Sequence, residues 1–219
     1  MNAPEYSPRL YTFCRRTLRL FLKLYNRIEA QNIENVPKSG GTLLVANHAS
    51  FLDPPALGCE IVFRPVRYMA RDSLFANRWF GALLRGIAAV PISREKGDIS
   101  ALKKALGVLK SGDCLGFFPE GTRTTNGQMK ELKAGVGFLA AKAGVPIVPA
   151  YIDGSFAAFS RHHKWIRPRK IRVIYGPAIQ PSEIARFLGD TDAYERIGAF
   201  ISERIRQLAP KRPLLPERN

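Results

Sequence analysis

Short apolar segments alternate along this chain with segments of helical character, and this alternation constrains the fold more than any other feature. Strands are predicted at 41–46, 65–70, 88–92, 114–118, 146–152 and 169–175, and helices at 54–62, 73–85, 97–111, 131–143 and 191–208. Strands separated by helices build a mainly parallel sheet with helices packed against it. The predicted fold class is therefore α/β, a single domain with a mainly parallel mixed sheet flanked by helices.

A basic amphipathic helix is predicted before this domain, over residues 1–27. One helical face carries Leu10, Phe13, Cys14, Leu18, Phe21 and Tyr25, and the opposite face carries Arg9, Arg16, Arg19, Lys23 and Arg27. Basic residues interrupt any long apolar run, so the helix is too polar to span a bilayer but can lie in the membrane interface. The alternative is a helix packed on the domain core with a solvated basic side. The α/β domain covers residues 28–209, and residues 210–219 are predicted to be a loose tail.

The chain carries a large excess of positive charge, which favours anionic partners. Of 219 residues, 34 are lysine or arginine and 18 are aspartate or glutamate, giving a formal net charge of +16. Nucleic acid, anionic lipid and phosphorylated substrates all fit this charge. The basic run over residues 161–170 contains Trp165, which suits nucleic acid, a membrane headgroup region or a solvated loop. The membrane interpretation assigns lipid contacts to Phe13, Arg16, Arg19, Phe21, Lys23 and Trp165.

Sequence patterns for metals and nucleotide cofactors are weak or missing. The three cysteines, Cys14, Cys59 and Cys114, are widely spaced in apolar surroundings, which predicts buried thiols in a reducing compartment. Residues 135–140 match the loose pattern GxGxxA but follow a helix-like segment, so these glycines are predicted to allow close helix packing. The sequence contains no Walker phosphate loop, no HExxH motif and no GxSxG motif. Nucleotide hydrolysis and metalloenzyme chemistry are therefore not expected.

Polar side chains follow the predicted strands at their carboxyl ends, where parallel sheets place their ligand sites. His48 follows the strand 41–46, and Asp53 comes five residues later, just before Pro54 and Pro55. The two prolines favour a helix start and predict Asp53 as its N-cap. A carboxylate at this spacing can hold one imidazole nitrogen and leave the other to accept a proton, as in a catalytic dyad. In the alternative interpretation, Asp53 caps the helix and His48 is an ordinary loop histidine.

Two further segments bring arginines to the same predicted edge. The loop 119–123 supplies Glu120 and Arg123, and Arg94 follows the strand 88–92. A guanidinium binds phosphate through two parallel hydrogen bonds, and Glu120 is expected to hold Arg123 in place. Taken alone, each segment also fits an ordinary surface turn.

Four ordered blocks resemble a known family, the 1-acylglycerol-3-phosphate O-acyltransferases of the glycerolipid acyltransferase superfamily. The blocks are Asn47-His48-Ala49-Ser50-Phe51-Leu52-Asp53, the segment 86–94, Phe118-Pro119-Glu120-Gly121-Thr122-Arg123, and Val145-Pro146-Ile147-Val148-Pro149-Ala150. The similarity covers residues 25–180 in outline, and the blocks occur in the order of the family.

The resemblance implies a role for each matching residue. His48 is implied to be the general base and Asp53 its orienting partner. The acceptor phosphate is expected to contact Arg94, Glu120, Gly121, Thr122 and Arg123. The block 145–150 is expected to be a strand that shapes the acyl or acceptor pocket. Such enzymes often have lysine where this chain has Arg71, which keeps the charge and makes Arg71 a further expected phosphate contact.

The resemblance also implies a reaction that needs no cofactor and no metal. His48 would deprotonate the free hydroxyl of lysophosphatidic acid as it attacks the thioester of acyl-CoA or acyl carrier protein, giving phosphatidic acid in phospholipid biosynthesis. Backbone N–H groups near the turn after His48 are expected to stabilise the oxyanion. The expected location is the cytoplasmic face of the cell membrane, as a peripheral or monotopic protein without a transmembrane span. The expected partner is an anionic membrane surface, with no nucleic acid.

Three other functions stay open on the sequence alone. A related enzyme that acylates another lysolipid, such as a lyso-ornithine lipid, has similar short motifs. A hydrolase would use the same dyad on acyl esters without an alcohol acceptor. A basic nucleic-acid-binding module would explain the charge of +16 but not the four blocks.

Overall fold

Seven strands form one sheet in the computed structural model, which describes residues 6–93, 97–130, 132 and 135–211. The strands are β1 (Glu29–Gln31), β2 (Thr42–Ala46), β3 (Val66–Arg71), β4 (Val90–Ile92), β5 (Cys114–Phe117), β6 (Ile147–Asp153) and β7 (Arg172–Tyr175). They lie in the order β1-β7-β6-β2-β5-β3-β4, and β6 and β7 form the one antiparallel pair among them. The carboxyl ends of β2 to β6 therefore share one edge of the sheet.

Helices follow most of the strands and cover both faces of the sheet. They are α1 (Pro8–Tyr25), α2 (Asp53–Cys59), α3 (Arg78–Gly86), α4 (Gly97–Lys110), α5 (Gly135–Ala143), α6 (Ser155–Phe159), α7 (Pro181–Ala185) and α8 (Ala193–Gln207). Short 3₁₀ turns occur at Ile33–Asn35 and Asp72–Phe75. This arrangement confirms the predicted α/β class, with a mainly parallel mixed sheet and a preceding N-terminal helix.

The central strand β2 is buried on both sides, so its alternating side chains enter two separate cores. Leu44 and Ala46 pack with residues of α1, α2 and α6 on one face. Leu43 and Val45 pack with residues of α4, α5 and α8 on the other. Because both cores fix β2, the loop that follows its carboxyl end starts from a rigid position.

The predicted helix 73–85 is interrupted in the structure. A 3₁₀ turn covers Asp72–Phe75, and α3 then begins at Arg78. The break occurs because Asn77 Oδ1 accepts hydrogen bonds from the backbone N–H groups of Trp79 and Phe80, at 3.1 and 2.9 Å. This is the usual geometry of an asparagine N-cap, which starts a new helix.

Helix α1 packs on the domain through a mixed face. Leu22 is fully buried, and Arg19 Nε lies 3.1 Å from Glu60 Oε2. The face that points outward carries Phe13, Leu20 and Leu24, which are 67%, 61% and 75% exposed. Leu20 and Leu24 were not part of the predicted apolar face. Of the residues that were, Phe13, Leu18, Phe21 and Tyr25 are exposed, and Leu10 and Cys14 are half-buried. Residues 1–5 of the predicted helix, and residues 212–219 of the predicted tail, lie outside the described residues.

Among the described residues, no helix is long and apolar enough to cross a membrane.

Candidate active site

His48 and Asp53 lie side by side in the loop that joins β2 to α2. His48 Nδ1 is 2.8 Å from Asp53 Oδ2, and the carboxylate is fully buried while the imidazole is 18% exposed. A carboxylate at Nδ1 favours the tautomer that carries its proton there, so the lone pair of Nε2 is free to accept a proton. Within the described part of the chain, Nε2 makes no hydrogen bond. The loop can therefore present a base to the solvent side of the sheet edge.

The Asp53 side chain also builds the loop that holds His48. Asp53 Oδ2 accepts hydrogen bonds from the backbone N–H groups of Ala49 and Ser50, at 2.6 and 2.7 Å. Helix α2 begins at Asp53 itself, and Leu52 occupies the N-cap position. The predicted N-cap role of Asp53 is therefore wrong, because its carboxylate turns back to the loop instead of capping the helix.

The turn after His48 uses its own backbone N–H groups internally. The N–H of His48 donates to Glu120 Oε1, and those of Ala49 and Ser50 donate to Asp53 Oδ2. The N–H of Phe51 donates to the Phe159 carbonyl, and that of Leu52 donates to Ser50 Oγ. Asp53 N donates to the Ser50 carbonyl at 3.4 Å. Each of these N–H groups already has an acceptor. The expectation of oxyanion donors near the turn therefore stays a prediction without named residues.

Glu120 joins the two motif loops from beneath the site. It is 5% exposed, and its two oxygens accept from the backbone N–H of His48 at 2.7 Å and of Lys130 at 3.2 Å. The backbone N–H of Thr124 donates to the His48 carbonyl at 2.9 Å, which adds a second link. Burial raises the pKa of the Glu120 carboxyl, and the two hydrogen bonds from backbone N–H groups oppose this shift. Glu120 thus positions His48, and it does not hold Arg123 as expected.

The loop 119–123 needs its glycine to make this turn. Gly121 has φ of +71°, a conformation that favours glycine, and its N–H donates to the Phe118 carbonyl at 3.2 Å. Lys130 Nζ lies 3.4 Å from both Thr122 Oγ1 and the Arg123 carbonyl. Lys130 was not predicted from the sequence, where no strand end or motif marks it.

Arg123 lies on an aromatic ring from the other motif. Its guanidinium carbon is 3.2 Å from the centroid of the Phe51 ring, and its Nη1 is buried without a hydrogen-bond partner among the described residues. Burial lowers the pKa of Arg123, and the positive charges of Arg161 and Arg71 lower it further while Asp53 opposes them. A guanidinium over a ring face is attracted by the ring and can still donate N–H hydrogen bonds to an anion.

The imidazole of His48 is also held across its face. The His48 and Phe118 rings stack with centroids 4.4 Å apart and an angle of 23°, and Phe118 in turn lies on Tyr68 at 6.4 Å. The carboxylate fixes one edge of the imidazole, and the aromatic ring restricts its rotation. Phe118 belongs to a predicted block, but its function there was not foreseen.

The remaining predicted residues have different positions relative to this edge. Arg71 ends β3 and is exposed beside the site, whereas Arg94 lies outside the described residues. The block 145–150 enters β6, which pairs with β2, and Asn47 ties the two strands through the backbone of Ile152 at 2.7 and 3.0 Å. Trp165 is 81% exposed.

The cysteines take no part in this site. Cys59 and Cys114 are buried and free, as predicted, and Cys14 is half-buried. Burial raises the pKa of both Cys59 and Cys114 to about 12. A thiol with so high a pKa is a poor nucleophile at neutral pH. Cys59 and Cys114 are therefore poor candidates for a nucleophile, and His48 remains the candidate base at this edge of the sheet.

Comparison with known proteins identifies the family. A family model described as Acyltransferase matches residues 27–153, which contain both motif loops. The chain belongs to this acyltransferase family. A 1-acyl-sn-glycerol-3-phosphate acyltransferase of Bacillus subtilis is 31% identical over 92% of this chain and 98% of its own length. A chloroplastic 1-acyl-sn-glycerol-3-phosphate acyltransferase of Brassica napus is 31% identical over an aligned region that covers 60% of this chain and 38% of that longer protein.

A solved structure has the same fold. The 1-acyl-sn-glycerophosphate (LPA) acyltransferase PlsC from Thermotoga maritima superposes with a TM-score of 0.72, at 21% identity, over 92% of this chain and 82% of its own. The match in fold and the sequence relatives confirm the family inferred from the four blocks. The protein is therefore an enzyme of the acyltransferase class.

Proposed function

We propose that this acyltransferase moves an acyl chain from an acyl thioester to the free hydroxyl of 1-acylglycerol-3-phosphate, which gives phosphatidic acid. The observation that carries the proposal is the 2.8 Å contact of His48 with Asp53, next to Arg123 with its unpartnered Nη1. A base beside a buried guanidinium suits an alcohol that carries a phosphate. The Bacillus subtilis relative, a 1-acyl-sn-glycerol-3-phosphate acyltransferase, supports the same acceptor.

The proposed reaction assigns both proton transfers to His48. Nε2 takes the hydroxyl proton of the acceptor as its oxygen forms a bond to the thioester carbonyl carbon. The tetrahedral intermediate then collapses, the carbon–sulfur bond breaks, and the leaving thiolate takes the proton from Nε2. Asp53 keeps the imidazole oriented and stabilises its transient positive charge. A thioester is already activated, so the proposal includes no metal, cofactor or acyl-enzyme.

The proposed acceptor site is the positive edge around Arg123. Arg123 grips the phosphate, Arg71 adds charge, and the turn with Gly121 and Thr122 brings backbone close to it. From its place in the sequence alone, Arg94 is proposed as a further phosphate contact. The proposed donor is acyl-CoA or acyl carrier protein, since both are anionic and suit a chain of net charge +16.

The decisive experiment supplies the purified protein with a panel of lysolipids and thioester donors and identifies products by mass spectrometry. We expect phosphatidic acid from 1-acylglycerol-3-phosphate, and His48→Ala should abolish it while the circular dichroism spectrum stays unchanged. If a lyso-ornithine lipid is acylated in preference to 1-acylglycerol-3-phosphate, the acceptor is a different lysolipid. Free fatty acid released without any acceptor would indicate a hydrolase. Near-normal turnover by His48→Ala would refute the role of the dyad.

We infer further that the enzyme works as a peripheral or monotopic protein on an anionic membrane, at its cytoplasmic face. The outward residues Phe13, Leu20 and Leu24 support this, together with Trp79 on α3, which is 78% exposed. Arg16 lies on the same exposed side of α1, and Phe21 and Trp165 are also exposed. Arg19 and Lys23 contact Glu60 instead, at 3.1 and 3.7 Å, which weakens their predicted contact with lipid.

A vesicle experiment tests this surface with a matched control. The triple variant Phe13→Ser, Leu20→Ser, Leu24→Ser should lose most of its binding to acidic vesicles, because the apolar area that enters the interface is removed. Ile99→Ser removes a side chain that is 71% exposed on α4, at the opposite face of the sheet, and should bind normally. A preference of the wild type for nonspecific DNA over vesicles, in moderate salt, would favour a nucleic-acid partner.

A further inference from the structure

A turn outside the four family blocks completes one side of the active site. The turn follows α6 and contains Ser160, Arg161 and His162. On its first side, the Phe159 carbonyl accepts from Ser50 Oγ at 2.7 Å and from Phe51 N at 3.3 Å. On its second side, His162 Nε2 lies 3.0 Å from the Thr125 carbonyl. The turn is therefore fixed to the loop after β2 and to the segment just after the loop 119–123, and Arg161 lies between the two attachments.

Aromatic packing sets the distance between this turn and Arg123. The Phe51 ring contacts the Phe159 ring, with centroids 5.2 Å apart, and also carries the Arg123 guanidinium at 3.2 Å. One side chain thus supports the arginine of the motif and the residue from which the turn starts. The charge of Arg161 is close enough to Arg123 to contribute to its lowered pKa, second after burial.

Arg161 and Arg71 both add positive charge around Arg123, and Asp53 offsets only part of it. In the described part of the chain, neither Arg161 nor Arg71 has a carboxylate within ion-pair distance, and the Nη1 of Arg123 has no acceptor. Like charges at one place repel each other and disfavour the folded arrangement unless an anion binds between them. Arg161 is exposed, so holding it there contributes nothing to the core.

We propose that Arg161 is a third guanidinium of the acceptor site and selects lysolipids whose head group is a phosphate monoester. This inference rests on the proposed function. A phosphate monoester carries close to two negative charges at neutral pH and offers three oxygens, one more than a diester leaves free. Arg123 and Arg71 would match one part of that charge, and Arg161, which is exposed in the turn after α6, would match the rest.

The test compares Arg161→Ala and Arg161→Lys with Lys110→Ala. Lys110 is an exposed cation at the end of α4, near the opposite edge of the sheet, and controls for the loss of one charge. We expect Arg161→Ala to raise KM for 1-acylglycerol-3-phosphate about tenfold to a hundredfold, as for loss of a charged hydrogen bond. Its kcat should stay within about threefold, since among the described residues no hydrogen bond or ion pair joins Arg161 to His48 or Asp53. Arg161→Lys should recover part of the loss, and Lys110→Ala should match the wild type.

A binding measurement separates this inference from the proposed function. Titration calorimetry with glycerol 3-phosphate needs no turnover, and we expect Arg161→Ala to bind it about tenfold or more weakly than the wild type. If no thioester is turned over with lysophosphatidic acid but this difference is found, the proposed function fails and the phosphate site stands. Equal affinities of wild type and Arg161→Ala, or a wild type that does not bind glycerol 3-phosphate, would overturn the inference.

Discussion

Glu120 gives the sharpest test of how this site is assembled, because its family motif and its observed contacts suggest different roles. A residue that binds the acceptor phosphate should affect KM when it is changed. Glu120 is 5% exposed, however, and its oxygens accept from the backbone N–H groups of His48 and Lys130. We therefore predict that Glu120→Ala lowers kcat, with KM for the acceptor changed less than about threefold.

The size of the effect follows from the two hydrogen bonds. Glu120→Ala leaves two partly buried N–H groups without an acceptor, at about 1–3 kcal/mol each, and the removed buried charge offsets part of this cost. A net loss of about 2–4 kcal/mol in the free energy of unfolding lowers Tm by roughly 4–16 °C for a domain of this size. Because His48 loses the anchor of its own backbone, a shift of its imidazole by about 1 Å is enough to reduce kcat about 100-fold.

Glu120→Gln and Glu203→Gln complete the experiment. The carboxamide of Glu120→Gln offers one acceptor oxygen for two N–H groups, so its stability should lie between wild type and Glu120→Ala. Glu203 is exposed on α8, where it accepts from Gln207 at 3.0 Å, and its variant should unfold within about 0.5 kcal/mol of wild type. Steady-state kinetics and thermal unfolding give all the quantities needed. A Glu120→Ala enzyme with normal kcat, normal Tm and a raised KM would refute the reasoning and return Glu120 to the substrate.

Three further predictions test neighbouring parts of the molecule. Asp53→Asn should lower kcat about 10²- to 10⁴-fold in a folded enzyme, because the amide does not stabilise the imidazolium; product formation measures it. Gly137→Ala should cost at least about 1–3 kcal/mol in urea unfolding, since its Cβ would lie 1.8 Å from the Tyr194 carbonyl oxygen. Gly107→Ala, with no atom within 4 Å of its Cβ, should instead be neutral or stabilising by up to about 1 kcal/mol. Because the pKa of Glu120 is raised above 4.5, the folded protein binds the carboxyl proton more tightly than the unfolded chain does. The contribution of Glu120 to the free energy of unfolding should therefore fall as the pH rises above 4.5. Glu120→Gln should flatten that part of the pH profile.

Buried strands and well-marked helix ends were predictable from the sequence, whereas edge elements were not. Strands β2 and β6 are buried along most of their length, so they read as apolar runs. Strand β1 pairs with β7 at the edge of the sheet, and its exposed Glu29 and Gln31 give no apolar pattern. The capping asparagine of α3 was visible in the sequence, but the apolar residues on both sides of it suggested one continuous helix.

The local part of the site was also predictable, and the long-range part was not. Asp53 reaches His48 across five residues, a spacing that a short turn fixes. The hydrogen bond from His48 N to Glu120 spans 72 residues, and the stacking of Arg123 on Phe51 likewise joins separate motifs. Such contacts depend on the register of β2 against β5, which pairs Val45 with Phe117 and so brings the two loops together. Arg161 lacked any signal, because its turn matches no motif.

The same contacts explain how a chain with this much positive charge keeps charge free for a substrate. Asp53 and Glu120 are the buried carboxylates of this site. Glu120 accepts hydrogen bonds from two backbone N–H groups, and Asp53 Oδ2 accepts from two more and contacts His48 Nδ1. Had either carboxylate formed an ion pair with Arg123, a bound phosphate would have to displace it and recover that lost energy. Asp53 lies close enough to oppose the lowered pKa of Arg123 without pairing with it, so the positive edge is compensated only in part until an anion arrives. The binding of a phosphorylated acceptor can then draw on the full attraction of the site.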